Sequence, residues 1–133
     1  MKYLLETNVC IRYLNQRSEA LIARLEGLPQ SDIVTCAIVK AEMFYGAMKS
    51  DRRRETAKRL VVFFSAFASL SFDDAAATEF GRIRADLAKR GTPIGPYDMQ
   101  IAAIALANGL ILVTRNTSEF ARVRGLKLQD WDR

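Results

Sequence analysis

Leu110-Ile111-Leu112-Val113 is apolar without a break and then gives way at once to Thr114-Arg115-Asn116. Strands covered on both faces, as the inner strands of a parallel sheet are, read as continuous apolar runs rather than as alternations. Tyr3-Leu4-Leu5 has the same character and stops just as abruptly, in Glu6-Thr7-Asn8. Two such runs limit the chain to an α/β architecture with a parallel sheet. They also place polar groups at the carboxyl ends of buried strands, the edge where open α/β sheets bind ligands.

The stretches between them fill in the rest. Ser18 to Leu28 carries Leu21, Ile22, Leu25 and Leu28 at helical spacing, with Ser18 as cap and Gly27-Leu28-Pro29 as stop. Asp32 to Thr35 reads as a strand leading into a helix over Cys36–Met48, whose apolar face is expected to be Ala37, Ile38, Ala41, Phe44, Tyr45 and Met48. A helix over Arg52–Ala68 and a strand over Leu70–Phe72 follow. Asp73 or Asp74 then caps a helix that Gly91 ends. Pro96 sits where a first helical turn has no use for its missing N–H, so Gly95-Pro96 opens a helix over Met99–Asn108. Leu126, Leu128 and Trp131 suggest a closing edge strand. Strands alternating with helices in this order predict a mostly parallel central sheet with helices on both faces. At 133 residues the chain is expected to be one domain, 1–133.

Histidine is absent, and that removes more chemistry than any other fact of composition. Ser-His and Cys-His nucleophiles, His-ligated zinc and histidine acid–base catalysis all fall away. No GxGxxG or GxxxxGK[ST] loop occurs, which argues against dinucleotide and P-loop enzymes. Cys10 and Cys36 lie in apolar settings and read as free thiols, and no apolar run approaches the roughly 20 residues of a membrane span. A cytoplasmic protein is expected. The net charge of +5 is gathered into clusters, among them Lys49, Arg52, Arg53, Arg54, Lys58 and Arg59, and later Arg115, Arg122 and Arg124. Such a surface suits a polyanion such as nucleic acid, although a solvated helix face explains a single cluster equally well.

Acidic and amide side chains recur where strands end. Glu6 follows the first strand, Glu42 lies within the helix after the second, Asp98 opens the helix before the last core strand, and Asn116 with Glu119 follows that strand. Each has a structural explanation of its own: Thr7 or Asn8 as a helix cap beside Glu6, an arginine partner for Glu42, helix-dipole stabilisation for Asp98, and a capping box for Asn116 and Glu119. Their shared sheet edge has no such explanation. Carboxylates brought together repel unless a hard cation neutralises them, and oxygen-only ligands favour Mg²⁺ or Mn²⁺. A site of this kind hydrolyses phosphodiesters without histidine.

The segments Leu4-Leu5-Glu6-Thr7-Asn8, Ala41-Glu42-Met43-Phe44-Tyr45-Gly46-Ala47, Ile94 to Ala103, Leu112 to Phe120 and Gly125 to Trp131 occur in the order of a known family. The sequence resembles the PIN-domain ribonucleases, and among them the VapC toxins of bacterial toxin–antitoxin pairs. That resemblance implies a three-layer PIN-like fold, Mg²⁺- or Mn²⁺-dependent endoribonuclease activity on RNA, a homodimer, and a cognate VapB-type antitoxin. Carried over, Glu6, Glu42 and Asp98 would be metal ligands and Asn116 a polar ligand or water-holding group. Glu119 would add a carboxylate through water, and Thr7, Asn8 and Thr114 would support these groups. Arg52, Arg53, Arg54 and Arg115 would hold RNA. The apolar residues near Phe63, Phe64 and Phe67 and around Phe44 and Tyr45 suit the antitoxin, although ordinary core or a self-dimer interface explains them equally well.

The sequence departs from the family pattern at Glu6, where the family has Asp. One added methylene displaces the carboxylate by about 1.5 Å. The alternative reading is therefore a PIN-fold RNA-binding or regulatory module with weakened catalysis. A receiver-type phosphoacceptor domain fits poorly, since it needs an Asp at a central strand end.

Overall fold

The computed structural model describes residues 1–132. Five strands form one parallel sheet: β1 (Tyr3–Leu5), β2 (Ile33–Cys36), β3 (Ala68–Leu70), β4 (Ile111–Val113) and β5 (Lys127–Gln129). Their order across the sheet is β3-β2-β1-β4-β5. β1 lies at the centre, with Tyr3 opposite both Ile33 and Ile111 and Leu4 opposite both Val34 and Leu112. The inner strands β1 and β2 are wholly buried, whereas β3 and β5 are partly exposed edges.

Helices α1 (Thr7–Leu14) and α2 (Glu19–Glu26) connect β1 to β2, and α3 (Ala37–Lys49) and α4 (Arg53–Ser65) connect β2 to β3. α5 (Asp74–Arg90) and α6 (Pro96–Ala107) lead to β4, and the short α7 (Thr117–Phe120) leads to β5. The chain moves outward from β1 to β3, crosses the whole sheet, and moves outward again from β4 to β5. Right-handed crossovers then put α1 to α4 on one face and α5 to α7 on the other, the three-layer arrangement expected. The reversal falls between β1 and β4, so the crevice for a ligand opens beside Glu6 and Thr114. Among the described residues no helix is long and apolar enough to cross a membrane.

Several local expectations shift. α3 buries Val39, Met43 and Ala47, not the face anticipated; Tyr45 is 65% and Met48 51% exposed. The helix is apolar nearly all round, so spacing alone does not choose its inner side. α4 ends at Ser65, and β3 takes Ala68–Leu70 rather than Leu70–Phe72. Phe72 leaves the strand to pack edge-on against Phe80 of α5, ring centres 5.9 Å apart. Phe63 and Phe64 are buried and stack with each other, with Phe63 also against Tyr13 and Phe67 and Phe64 against Phe44. The burial of Phe63 and Phe64 fits their reading as ordinary core, while Tyr45, Val61 and Val62 beside them remain exposed. Trp131 lies just beyond β5, buried edge-on against Tyr3 at 5.0 Å.

Candidate active site

Glu6 is carried into the crevice by β1 and is 3% exposed. It is the N-cap of α1: its Oε2 accepts the Asn8 N–H at 2.7 Å. The cap expected of Thr7 or Asn8 is thus made by Glu6. Its other oxygen, Oε1, accepts the Thr114 hydroxyl at 3.0 Å across the gap between β1 and β4. Thr114 is fully buried and accepts in turn the Asn116 N–H at 2.9 Å. One hydroxyl therefore fixes both the Glu6 carboxylate and the loop after β4.

That loop presents Asn116, and α7 directly after it presents Glu119. Asn116 precedes α7 but makes no side-chain cap; its Nδ2 donates to Glu119 Oε2 instead, so the capping box is not formed. On the opposite side of the crevice, Thr7 turns its hydroxyl onto Glu42 Oε1 at 2.7 Å. Glu42 projects from α3 beside a hollow lined by Ile38, Ala41, Tyr45 and Tyr97.

Asp98 lies in the first turn of α6, a helix so deeply packed that Ile101 to Ala105 are fully buried. The carboxylate is thus mounted on a rigid support. A Cβ at Gly95 would come to 3.6 Å from Asp98 Oδ2, an ordinary contact, so Gly95 lies directly beside the carboxylate.

Electrostatics links these groups. Burial pushes the Glu6 pKa up, and the charges of Asp98 and Glu42 push the same way, against the hydrogen bonds from Asn8 and Thr114. Burial likewise raises Asp98, reinforced by Glu42 and Glu119. Among the described residues no ion pair reaches Glu6, Glu42, Asp98 or Glu119; Arg12, Arg52, Arg82, Arg90, Arg115 and Arg124 pair with other acids. The acids are close enough to feel one another, yet no three of the described His, Cys, Asp and Glu residues close tightly enough to enclose a cation as they stand.

The basic residues divide. Arg52, Arg53 and Arg54 line an exposed hollow with Asp51 and Glu55 that none of the acids above shares, and Arg52 pairs with Glu55 at 3.6 Å. Arg115 shares a hollow of about 410 Å³ with Asn8, Ile11, Arg12 and Asn116. Arg12 and Asp132 escaped the sequence reading: both Arg12 Nε and Arg115 Nε reach Asp132 Oδ2, at 2.7 and 2.8 Å. The only linear hint was Arg12 four residues after Asn8, one helical turn along the same face.

The PIN domain matches residues 3–126. The chain belongs to the PIN-domain family. Within that family it is 40% identical over 131 residues to the tRNA(fMet)-specific endonuclease VapC of Shigella flexneri, covering 98% of each chain. Ribonuclease VapC2 of Rickettsia felis is 34% identical over the whole of both chains. The fold of the present chain superposes on a chain of the DNA-bound VapBC structure from Salmonella typhimurium with a TM-score of 0.93 at 38% identity, covering 98% of each. This PIN domain is thus a VapC-type protein with the α/β fold of that group, and its relatives are named ribonucleases and endonucleases.

Proposed function

We propose that this VapC-type protein is a metal-dependent endoribonuclease, the toxin of a VapBC-type pair, that hydrolyses RNA phosphodiesters at the crevice between β1 and β4. The observation that carries this reading is the meeting of Glu6, Glu42, Asp98 and Glu119 at one sheet edge without a basic partner among the described residues. Unpaired, mutually repelling carboxylates disfavour the folded state, and a protein retains them where they serve a ligand. The donor set is oxygen throughout, which fits Mg²⁺ or Mn²⁺. Such an ion, when bound, lowers the pKa of a water and stabilises negative charge on the phosphate oxygens.

The chain's own residues do the positioning. Thr114 and the Asn8 N–H hold both oxygens of Glu6, and Thr7 orients Glu42. Asp98 faces the crevice from the rigid end of α6, and Asn116 steadies Glu119. With Glu6 in place of the family's Asp, turnover is lower than the fold could support. The reading extends to a homodimer and to a VapB-type antitoxin. Solved structures similar to this chain include VapBC complexes, and the apolar groove of Ile11, Leu14, Met43, Ala47 and Leu60 runs up to Glu42.

The test is cleavage of RNA by the purified chain. Mg²⁺ or Mn²⁺ should be required, and EDTA or Asp98→Asn should each reduce the rate by at least about 100-fold. Cleavage that persists in EDTA overturns the reading.

A further inference from the structure

Two guanidinium groups on one carboxylate oxygen is an unusual use of arginine. Arg12 extends from the last turn of α1, the helix that follows β1, and Arg115 from the loop after β4, so they come from the segments that follow the two crevice strands. Both spend their Nε on Asp132 Oδ2, at 2.7 and 2.8 Å. Each guanidinium has five donors in a planar fork, shaped to grip two oxygens of a carboxylate or phosphate side by side. A single shared oxygen uses little of that capacity.

Asp132 does not reach this position by chance. Trp131 is buried against Tyr3, its Nε1 donates to Gln129 Oε1 at 2.9 Å, and Arg24 lies over its ring at 5.3 Å. The Asp132 N–H is held by Asp130 Oδ1 at 3.0 Å, leaving the Asp132 side chain only 11% exposed. The same hollow contains Asn8, whose N–H binds Glu6, and Asn116, which binds Glu119. It is therefore bordered by two residues that hydrogen-bond to carboxylates of the site.

We infer that Arg12 and Arg115 form a subsite for a backbone phosphate of single-stranded nucleic acid next to the bond to be cut, and that Asp132 occupies it as an internal competitor. The choice of substrate rests on the ribonuclease reading; the anion site does not. A phosphodiester presents two free oxygens to the two forks where Asp132 presents one. In the unliganded protein Asp132 keeps the guanidinium groups in place and weakens non-productive binding.

Binding of a fluorescent ten-nucleotide single-stranded RNA, and of DNA of the same sequence, is measured by anisotropy in EDTA over a range of salt. Asp132→Asn should tighten binding by about 3–10-fold, since it removes the competing charge. Arg12→Gln should weaken it and flatten the slope of log K against log salt by about 0.7, the value for one phosphate contact on a single strand. Both ratios should be the same for RNA and DNA, because the contact is to the backbone. A purely structural clamp predicts otherwise: Asp132→Asn lowers Tm and binds no tighter, a result that overturns the inference. An Arg12→Gln salt slope equal to that of the parent also overturns it. Cleavage is not read, so a failed ribonuclease assignment leaves this result interpretable.

Discussion

Glu6 shows how much one methylene can decide. Its two oxygens are both engaged, by the Asn8 N–H and by Thr114, so the longer side chain is folded back to serve as helix cap and crevice bridge at once. Asp is a better N-cap and holds its carboxylate closer to the strand end. Glu6→Asp should therefore raise the rate of RNA cleavage, by up to about 100-fold if the misplacement is near 1 Å. An unchanged rate in a single-turnover assay would remove Glu6 from the reacting centre. That Glu6 is an acid at a strand end could be read from the sequence. Its partner Thr114 could not, since the two lie 108 residues apart and only the pairing of β1 with β4 brings them together.

At the scale of elements, local signals succeeded where a side chain bonds its own neighbourhood. Ser18 caps α2 through the Leu21 N–H, and Asp73 caps α5 through the Ala76 N–H at 3.0 Å. Gly91 closes α5 at φ 68°, a left-handed conformation that suits glycine. Asp73→Ala should cost about 1 kcal/mol, a fall in Tm of about 4 °C by thermal melting. A change below 1 °C would show that Asp74 takes over the cap. Local signals failed for α3, where residues of similar hydrophobicity surround the helix and only the sheet beneath it selects Val39, Met43 and Ala47. They also misplaced β3, because Phe72 gains more from Phe80 than from an exposed edge.

The crevice belongs to the whole molecule, since the end of β1, α3, α6 and α7 each supply one of its acids. Their repulsion enters the stability of the entire fold. Asp98 has a folded-state pKa above its ordinary value, so the folded protein holds that proton more tightly than the unfolded chain does. Stability from this group is therefore lost as pH rises through the folded pKa and is recovered as pH falls toward the ordinary carboxylate range. Asp98→Asn should melt above the parent at neutral pH, by an amount that solvent screening of the half-buried carboxylate keeps small. The gap should close as pH is lowered toward about 4. Mg²⁺ or Mn²⁺ should also raise the parent's Tm, and Asp98→Asn should lose that gain. Equal melting of the two proteins at every pH would mean that the acids do not interact.

The sequence by itself determined the order of strands and helices, the caps of α2 and α5 and the kinds of atom available for chemistry. These depend on neighbours in the chain, on apolar period and on the absence of histidine. Only the tertiary structure decided which hydroxyl holds which carboxylate, which side of α3 is inside, and that Arg12, Arg115 and Asp132 meet. Those outcomes follow from strand order and from where the crossing of the sheet reverses. Burial and Coulomb forces between residues more than 100 positions apart act only after that order is set.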